Sequence, residues 1–295
     1  MYCGKSCCDV LQVEESILER TNTIASTDKT IEFMRAQREG RVAAFAGSAE
    51  EKHPATADRE FTDTLTFRSP VMEVDATFLQ EQRILPPGAG GPLGTVYKML
   101  RSQVLRRMEQ LNANSLAVMS PTAGDGKTLT AINLAIAIAA ESTRTVLLVD
   151  FDLRNPGIHR RFNIQPTLGV EQALDQHRPV QEAMLKLKGY DRLTILPAVN
   201  RVEQSSELLS GQTVAALVAE LRSRYANRVL IFDLPPVLQA DDALAFSKHV
   251  QAGLVVVNEG VTKREDVVQT LQLLQDTKIV GTVLNGSREK QRNYY

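Results

Sequence analysis

Apolar residues Val96, Leu100, Val104, Met108 and Leu111 recur at helical spacing through TVYKMLRSQVLRRMEQL, with arginine and lysine between them. That spacing predicts a helix with one buried face. The pattern then changes. SLAVMS, TVLLVD, LTILPA, RVLIFD, GLVVVN and KIVGTVLN are short apolar runs. They alternate with helical stretches from Lys127, around Thr213–Tyr225 and around Arg264–Leu274. Continuous apolar strands between helices predict an α/β fold with a doubly wound, mainly parallel sheet covered on both faces. Ligands in such sheets bind beyond the carboxyl ends of the strands.

The first 92 residues give a weaker signal. Ser16–Arg41 is polar with helical potential, and Gly40–Pro70 turns to Ala, Thr, Glu, Asp and Gly with little periodicity. PPGAGGPLG, from Pro86 to Gly94, is dense in proline and glycine and reads as a linker. The expected organisation is an N-terminal extension and linker over 1–92, poorly ordered or helical, a P-loop domain over 93–287 and a flexible tail over 288–295.

Composition narrows the function classes. The chain has 295 residues, 43% hydrophobic and 23% charged, with a net charge of -1. That balance is ordinary for a soluble globular protein and makes no electrostatic case for nucleic acid. No apolar run approaches the roughly 20 residues of a spanning helix, and MYCGKSCCDV has no secretory core. A cytoplasmic protein is expected. The cysteines, Cys3, Cys7 and Cys8, stand at the N-terminus with no histidine nearby, which reads as reduced thiols rather than a metal site.

The candidate chemistry follows the first strong strand. In SPTAGDGKTL, residues Ala123, Gly124, Asp125, Gly126, Lys127, Thr128 and Leu129 lie between a strand and a helix, the context of a phosphate-binding loop. Glycines let backbone N–H groups curl around phosphate oxygens at the positive end of a helix. Lys127 is placed to reach the β- and γ-phosphates of ATP, and the Thr128 hydroxyl to bind Mg²⁺. The first glycine of the strict pattern is replaced by Pro121. TVLLVDFDLR adds Asp150, Asp152 and Arg154, and RVLIFDLPP adds Asp233. A carboxylate ending a buried strand is costly without a partner, and bound Mg²⁺ compensates it.

Together these motifs resemble the bacterial tyrosine kinases of exopolysaccharide and capsule synthesis, the BY-kinases, P-loop proteins with a MinD-like fold. The apolar run followed by D-x-D-x-R matches LLVDFDLR, the D-x-P-P motif matches LIFDLPP, and S-x-x-x-G-x-G-K-[ST] matches SPTAGDGKT. The resemblance covers about Tyr97 to the C-terminus. It implies an ATP- and Mg²⁺-dependent autokinase whose acceptors are the terminal Tyr294 and Tyr295. It also implies a homo-oligomeric ring, a membrane-embedded polysaccharide chain-length regulator as activator and a phosphotyrosine phosphatase as counterpart, with the kinase held at the inner membrane through that activator. Under it, Lys127 and the loop amides hold ATP. Thr128, Asp150 and Asp233 serve the metal, Asp150 accepts the tyrosine proton, and Asp152 supports metal or base. Arg154 pairs with phosphate or with an aspartate.

The sequence departs from the family in two places. The tail carries two tyrosines rather than a longer cluster, and the oligomer motif E-x-x-R-x-x-R falls on Thr95, Lys98 and Arg101. Two alternatives stay open: a MinD/ParA-type positioning switch, whose signature lysine position holds Thr122, and a non-catalytic ATP-binding regulator of polysaccharide export.

Overall fold

The computed structural model describes residues 69–287 except 89, 142, 225 and 226. Residues 1–68 and 288–295 lie outside it, and with them the three cysteines, Tyr294 and Tyr295.

The described residues build an eight-stranded sheet. Its strands are β1 (Val71–Met72), β2 (Ser115–Met119), β3 (Thr145–Asp150), β4 (Leu185–Leu187), β5 (Leu193–Leu196), β6 (Arg228–Asp233), β7 (Ala252–Asn258) and β8 (Ile279–Asn285). The order across the sheet is β1-β4-β5-β3-β6-β2-β7-β8. Every neighbouring pair is parallel except β4 with β5. The six apolar runs are all strands. β1 and β4 are two and three residues long, too short to carry a periodic signal.

Strand alternation sends successive side chains into two cores. Leu116, Val118, Val146, Leu148, Val229 and Ile231 face one way. There they meet α2 (Gly91–Gln110) and α3 (Lys127–Ala139). Ala117, Met119, Leu147, Val149, Leu230 and Phe232 face the other way. There they meet α7 (Gln212–Arg224) and α8 (Asp242–Ser247). On that side Phe151, Phe232 and Phe246 form a ring cluster with centroids 4.9–5.6 Å apart. β2, β3 and β6 are buried along almost their whole length, which explains their unbroken runs of Val, Leu and Ile.

The proline- and glycine-rich stretch is not a linker throughout. Gly90 caps α2, and Gly91, Pro92, Leu93 and Gly94 are already helical. Proline suits a first helical turn because its missing N–H has no partner there in any case. Residues before it also belong to the packed structure. β1 pairs with β4, and α1 (Ala76–Glu81) is capped by the Asp75 carboxylate, which accepts the Thr77 N–H. Leu79, Ile84 and Leu85 enter the core beneath α3. The Leu85 N–H bonds Asn133 Oδ1 at 2.9 Å, and Asn133 Nδ2 donates to the Arg83 carbonyl. Thus a segment with weak periodicity completes the sheet edge through pairing supplied by β4.

Candidate nucleotide and acidic site

β2 runs into the loop Ser120–Gly126, and α3 starts at Lys127. Two backbone positions demand glycine: Gly124 at φ +86° and Gly126 at φ +97°. A Cβ on Gly126 would lie 2.0 Å from Asn285 Nδ2. No side chain caps α3. Its first-turn amides therefore stay free of a protein cap, the arrangement an anion needs. Ala123 and Gly124 are exposed at the loop mouth, and Leu129 packs against the core, so only its backbone can serve a phosphate.

Asp150 ends β3 and Asp233 ends β6, and the two are direct register partners. Parallel in-register pairing sets their carboxylates side by side, both fully buried. Asp150 Oδ2 accepts the N–H groups of Gly157 at 2.9 Å and Ile158 at 3.0 Å. Asp152 reaches Lys127: Oδ2 lies 2.5 Å from Nζ, while Oδ1 accepts the Asn155 N–H. Lys127 Nζ also stands 3.9 Å from Asp233 Oδ1 and 3.4 Å from the Thr128 hydroxyl. Neither carboxylate oxygen of Asp233 has a hydrogen-bond partner of normal geometry.

Charge follows from this crowding. Burial, then repulsion from Asp233, pushes Asp150 up to about 8, against two backbone N–H bonds that pull it down. Burial likewise lifts Asp233 to about 6, opposed chiefly by Lys127. Burial alone would lower Lys127, but the charges of Asp233, Asp152 and Asp150 hold it above its ordinary value. The lysine remains an ammonium folded onto the acids.

The sequence-predicted residues Lys127, Thr128, Asp150, Asp152 and Asp233 thus meet in one place. Arg154 points elsewhere. Its Nε bonds the buried Asp242 at 2.8 Å, and its other end approaches Asp241 at 3.6 Å. Of the two partners left open for Arg154, the one it pairs with here is aspartate, on α8. Arg101, on the oligomer-motif position, is engaged within its own chain: it pairs with Glu141 at 3.1 Å and donates to the Ala137 carbonyl.

A set of braces behind the loop escaped the sequence reading. Asp125 is fully buried and accepts the Thr122 N–H (2.8 Å) and hydroxyl (3.0 Å) on Oδ2, and the Thr262 hydroxyl (2.6 Å) on Oδ1. Asn285 Nδ2 donates to the Asp125 carbonyl at 2.9 Å, and Asn258 Nδ2 to that of Gly124 at 3.4 Å. Thr262 follows β7, and Asn258 and Asn285 end β7 and β8. They stand more than 130 positions along the chain from the loop, beyond any local motif.

A family model described as "ParA: NUBPL iron-transfer P-loop NTPase" matches residues 112–292. The chain is 27% identical over 201 residues to the tyrosine-protein kinase YwqD of Bacillus subtilis, covering 68% of this chain and 83% of YwqD. It is 24% identical to the tyrosine-protein kinase Ptk of Acinetobacter johnsonii, of whose length it spans 31%. Among solved structures, the chimerical protein CapA2B2 superposes with a TM-score of 0.62 at 27% identity, covering 73% of this chain and 93% of that one. The chain belongs to the ParA-type P-loop NTPases, in their bacterial tyrosine-kinase (BY-kinase) branch. The fold is MinD-like: the cell division ATPase MinD of Pyrococcus furiosus superposes with a TM-score of 0.50 at 22% identity. The cysteines all precede the stretch matched by the iron-transfer family model.

Proposed function

We propose that this BY-kinase-family protein is an ATP- and Mg²⁺-dependent protein-tyrosine kinase that phosphorylates Tyr294 and Tyr295 and regulates polysaccharide export. The observation that carries the reading is the convergence of Asp150, Asp152 and Asp233 on Lys127 at the mouth of an uncapped helix. Lys127 leaves the acids to meet the β- and γ-phosphates, and the loop amides and α3 amides receive the rest of the chain of phosphates. The residues fit a magnesium ion. Asp233 is buried with its oxygens unpartnered and Thr128 stands beside Lys127. Among the described residues no three acidic, histidine or cysteine side chains form a ready metal cage. Mg²⁺ commonly takes one or two carboxylates together with phosphate oxygens and water, so Thr128, Asp233 and Asp150 would hold it with the nucleotide. When bound, it neutralises charge on the transferring phosphoryl group.

Tyrosine, with an ordinary pKa of about 10, is a weak nucleophile at neutral pH. Asp150 would take that proton in its ionised form, which bound Mg²⁺ favours by countering the burial and the Asp233 repulsion that raise it. The Gly157 and Ile158 amides fix its direction. Asp152 holds Lys127 and orders the Asn155 turn, and Arg154 ties that turn to α8.

Among the described residues no helix is long and apolar enough to cross a membrane. The partners we propose are a membrane-embedded chain-length regulator as activator and a phosphotyrosine phosphatase. One relative, 31% identical over 175 residues, is the succinoglycan biosynthesis transport protein ExoP of Rhizobium meliloti, which supports the link to polysaccharide export. The ParA match favours a second reading, an ATP-driven positioning switch, which would bind and hydrolyse ATP without phosphorylating tyrosine.

Mass spectrometry after incubation with Mg-ATP tests the proposal, alone and with the activator. Phosphotyrosine at Tyr294 or Tyr295, absent from Lys127→Ala and from a chain ending at Asn293, supports it. Nucleotide hydrolysis with no phosphotyrosine transfers the weight to the switch.

A further inference from the structure

The turn after Asp152 carries an arrangement that nucleotide binding does not use. Arg160, on the short helix α4 (Ile158–Arg161), donates from Nη2 to Asn155 Oδ1 at 2.8 Å and to the Asn155 carbonyl at 3.3 Å. Arg201, from the loop after β5, approaches the same Asn155 Oδ1 from its own Nη2 at 3.5 Å. Two guanidinium groups from separate segments therefore share one neutral oxygen. Both are exposed, and among the described residues neither has a carboxylate at ion-pair distance. Arg161 beside them is likewise bonded only to an amide, Gln82 Oε1 at 3.0 Å. The other long cations of this face are treated differently: Arg154 has Asp242 and Lys127 has Asp152.

Like charges converging on a neutral acceptor repel one another, and an anion between them removes the repulsion. Guanidinium groups suit this role because their forked donors match carboxylate and phosphate oxygens. The location fixes what the anion belongs to. Asn155 is the residue whose N–H holds Asp152, and Gly157 and Ile158 of the same turn hold Asp150. A side chain bound at the arginine pair would lie beside the acids rather than in the phosphate loop, where an incoming acceptor must approach.

We propose that Arg160 and Arg201 form an anion-recognition pair that holds an acidic or phosphorylated side chain of the acceptor polypeptide next to the tyrosine being modified. The proposal rests on the kinase reading for the identity of the ligand, though not for the existence of the site. It carries a consequence for the chain's own tail. Arg288, Lys290 and Arg292 precede Tyr294, so the unmodified tail is a poor occupant, and a first phosphotyrosine converts it into a better one.

The test uses the full chain and three fluorescein-labelled tyrosine peptides, flanked by glutamates, by one phosphotyrosine or by lysines. Binding is read by fluorescence anisotropy and transfer by steady-state kinetics with Mg-ATP. The expected result is that both anionic peptides bind roughly two- to fivefold more tightly than the lysine peptide, the scale of an exposed charge pair. Arg160→Gln with Arg201→Gln abolishes that preference and raises the peptide KM, while the KM for ATP and acceptor-free ATP hydrolysis stay unchanged. A preference for the glutamate peptide alone, or for the phosphotyrosine peptide alone, supports the site and identifies the anion's source. Equal binding of all three peptides by the wild-type chain overturns the proposal. So does a double variant that changes the KM for ATP and leaves the peptide preference intact, which would assign the pair to the nucleotide. Preferential binding without any transfer supports the arginine site and overturns the kinase reading instead.

Discussion

At the residue scale the site is a set of charges held against their preference. Asp233 is the clearest case, a fully buried carboxylate with no hydrogen bond of normal geometry, countered chiefly by Lys127 at 3.9 Å and by the Thr128 side chain. Replacing Asp233 by Asn removes a buried charge, so the nucleotide-free variant should melt at a higher temperature than the wild type. The same change should lower tyrosine phosphorylation at least about a hundredfold, the scale of losing one positioned electrostatic group. Thermal scans and phosphotransfer assays on one sample check both halves, and a variant that melts lower refutes the assignment of strain to this side chain. Asp150 makes a pH prediction. Its folded pKa lies above its unfolded one, so between the two values the folded state holds the proton that the unfolded state has lost. The stabilisation is complete below the ordinary value of about 4 and disappears as pH rises through about 8. Asp233, raised to about 6, acts in the same direction. The Tm of the nucleotide-free protein should therefore fall across that window, and Asp150→Asn should flatten the decline.

At the scale of elements, the phosphate loop is shaped by strands remote from it. β7 and β8 deliver Asn258 and Asn285, and the turn after β7 delivers Thr262, so a loop of irregular backbone rests on the ends of regular strands. Thr262→Val leaves Oδ1 of a buried carboxylate without its donor, a loss of about 1–3 kcal/mol. It should raise the KM for ATP, and Thr262→Ser should restore both affinity and Tm. Gly126→Ala meets two obstacles, the Asn285 amide and a left-handed backbone. Combining it with Asn285→Ala clears the first and not the second, which costs about 1–2 kcal/mol. Calorimetric ATP titration should find no binding in the single variant and weak binding in the double.

At the scale of the molecule, the packed structure extends into the segment upstream of the proline-glycine stretch. Leu79, Ile84 and Leu85 are each at most 4% exposed, and Asn133 spends both ends of its amide on this segment. Burial of each such side chain contributes about 1.5–3 kcal/mol, against a total stability of about 5–15 kcal/mol for a domain. A chain beginning at Pro86 should lose cooperative unfolding or melt far below the full chain, as circular dichroism would show. Arg101 bears on assembly. Its guanidinium is committed to Glu141 and the end of α3, so an intermolecular role requires that these internal bonds be exchanged.

What the sequence determined by itself is the part written in short-range code. Buried parallel strands need unbroken apolar runs, a phosphate loop needs glycine at fixed spacing, and carboxylates ending strands face the ligand end of the sheet. Those rules placed six strands and the four residues around Lys127. The tertiary structure decided everything that depends on contacts between distant segments. It set Asp150 beside Asp233 through the register of β3 and β6, turned Arg154 to Asp242 rather than to the phosphate loop, and recruited Thr262, Asn258 and Asn285 as braces. It also made a strand of Val71–Met72, two residues too few to carry a periodic signal, whose pairing comes from β4. Periodicity reports which face of an element is buried; it carries no record of which other element does the burying.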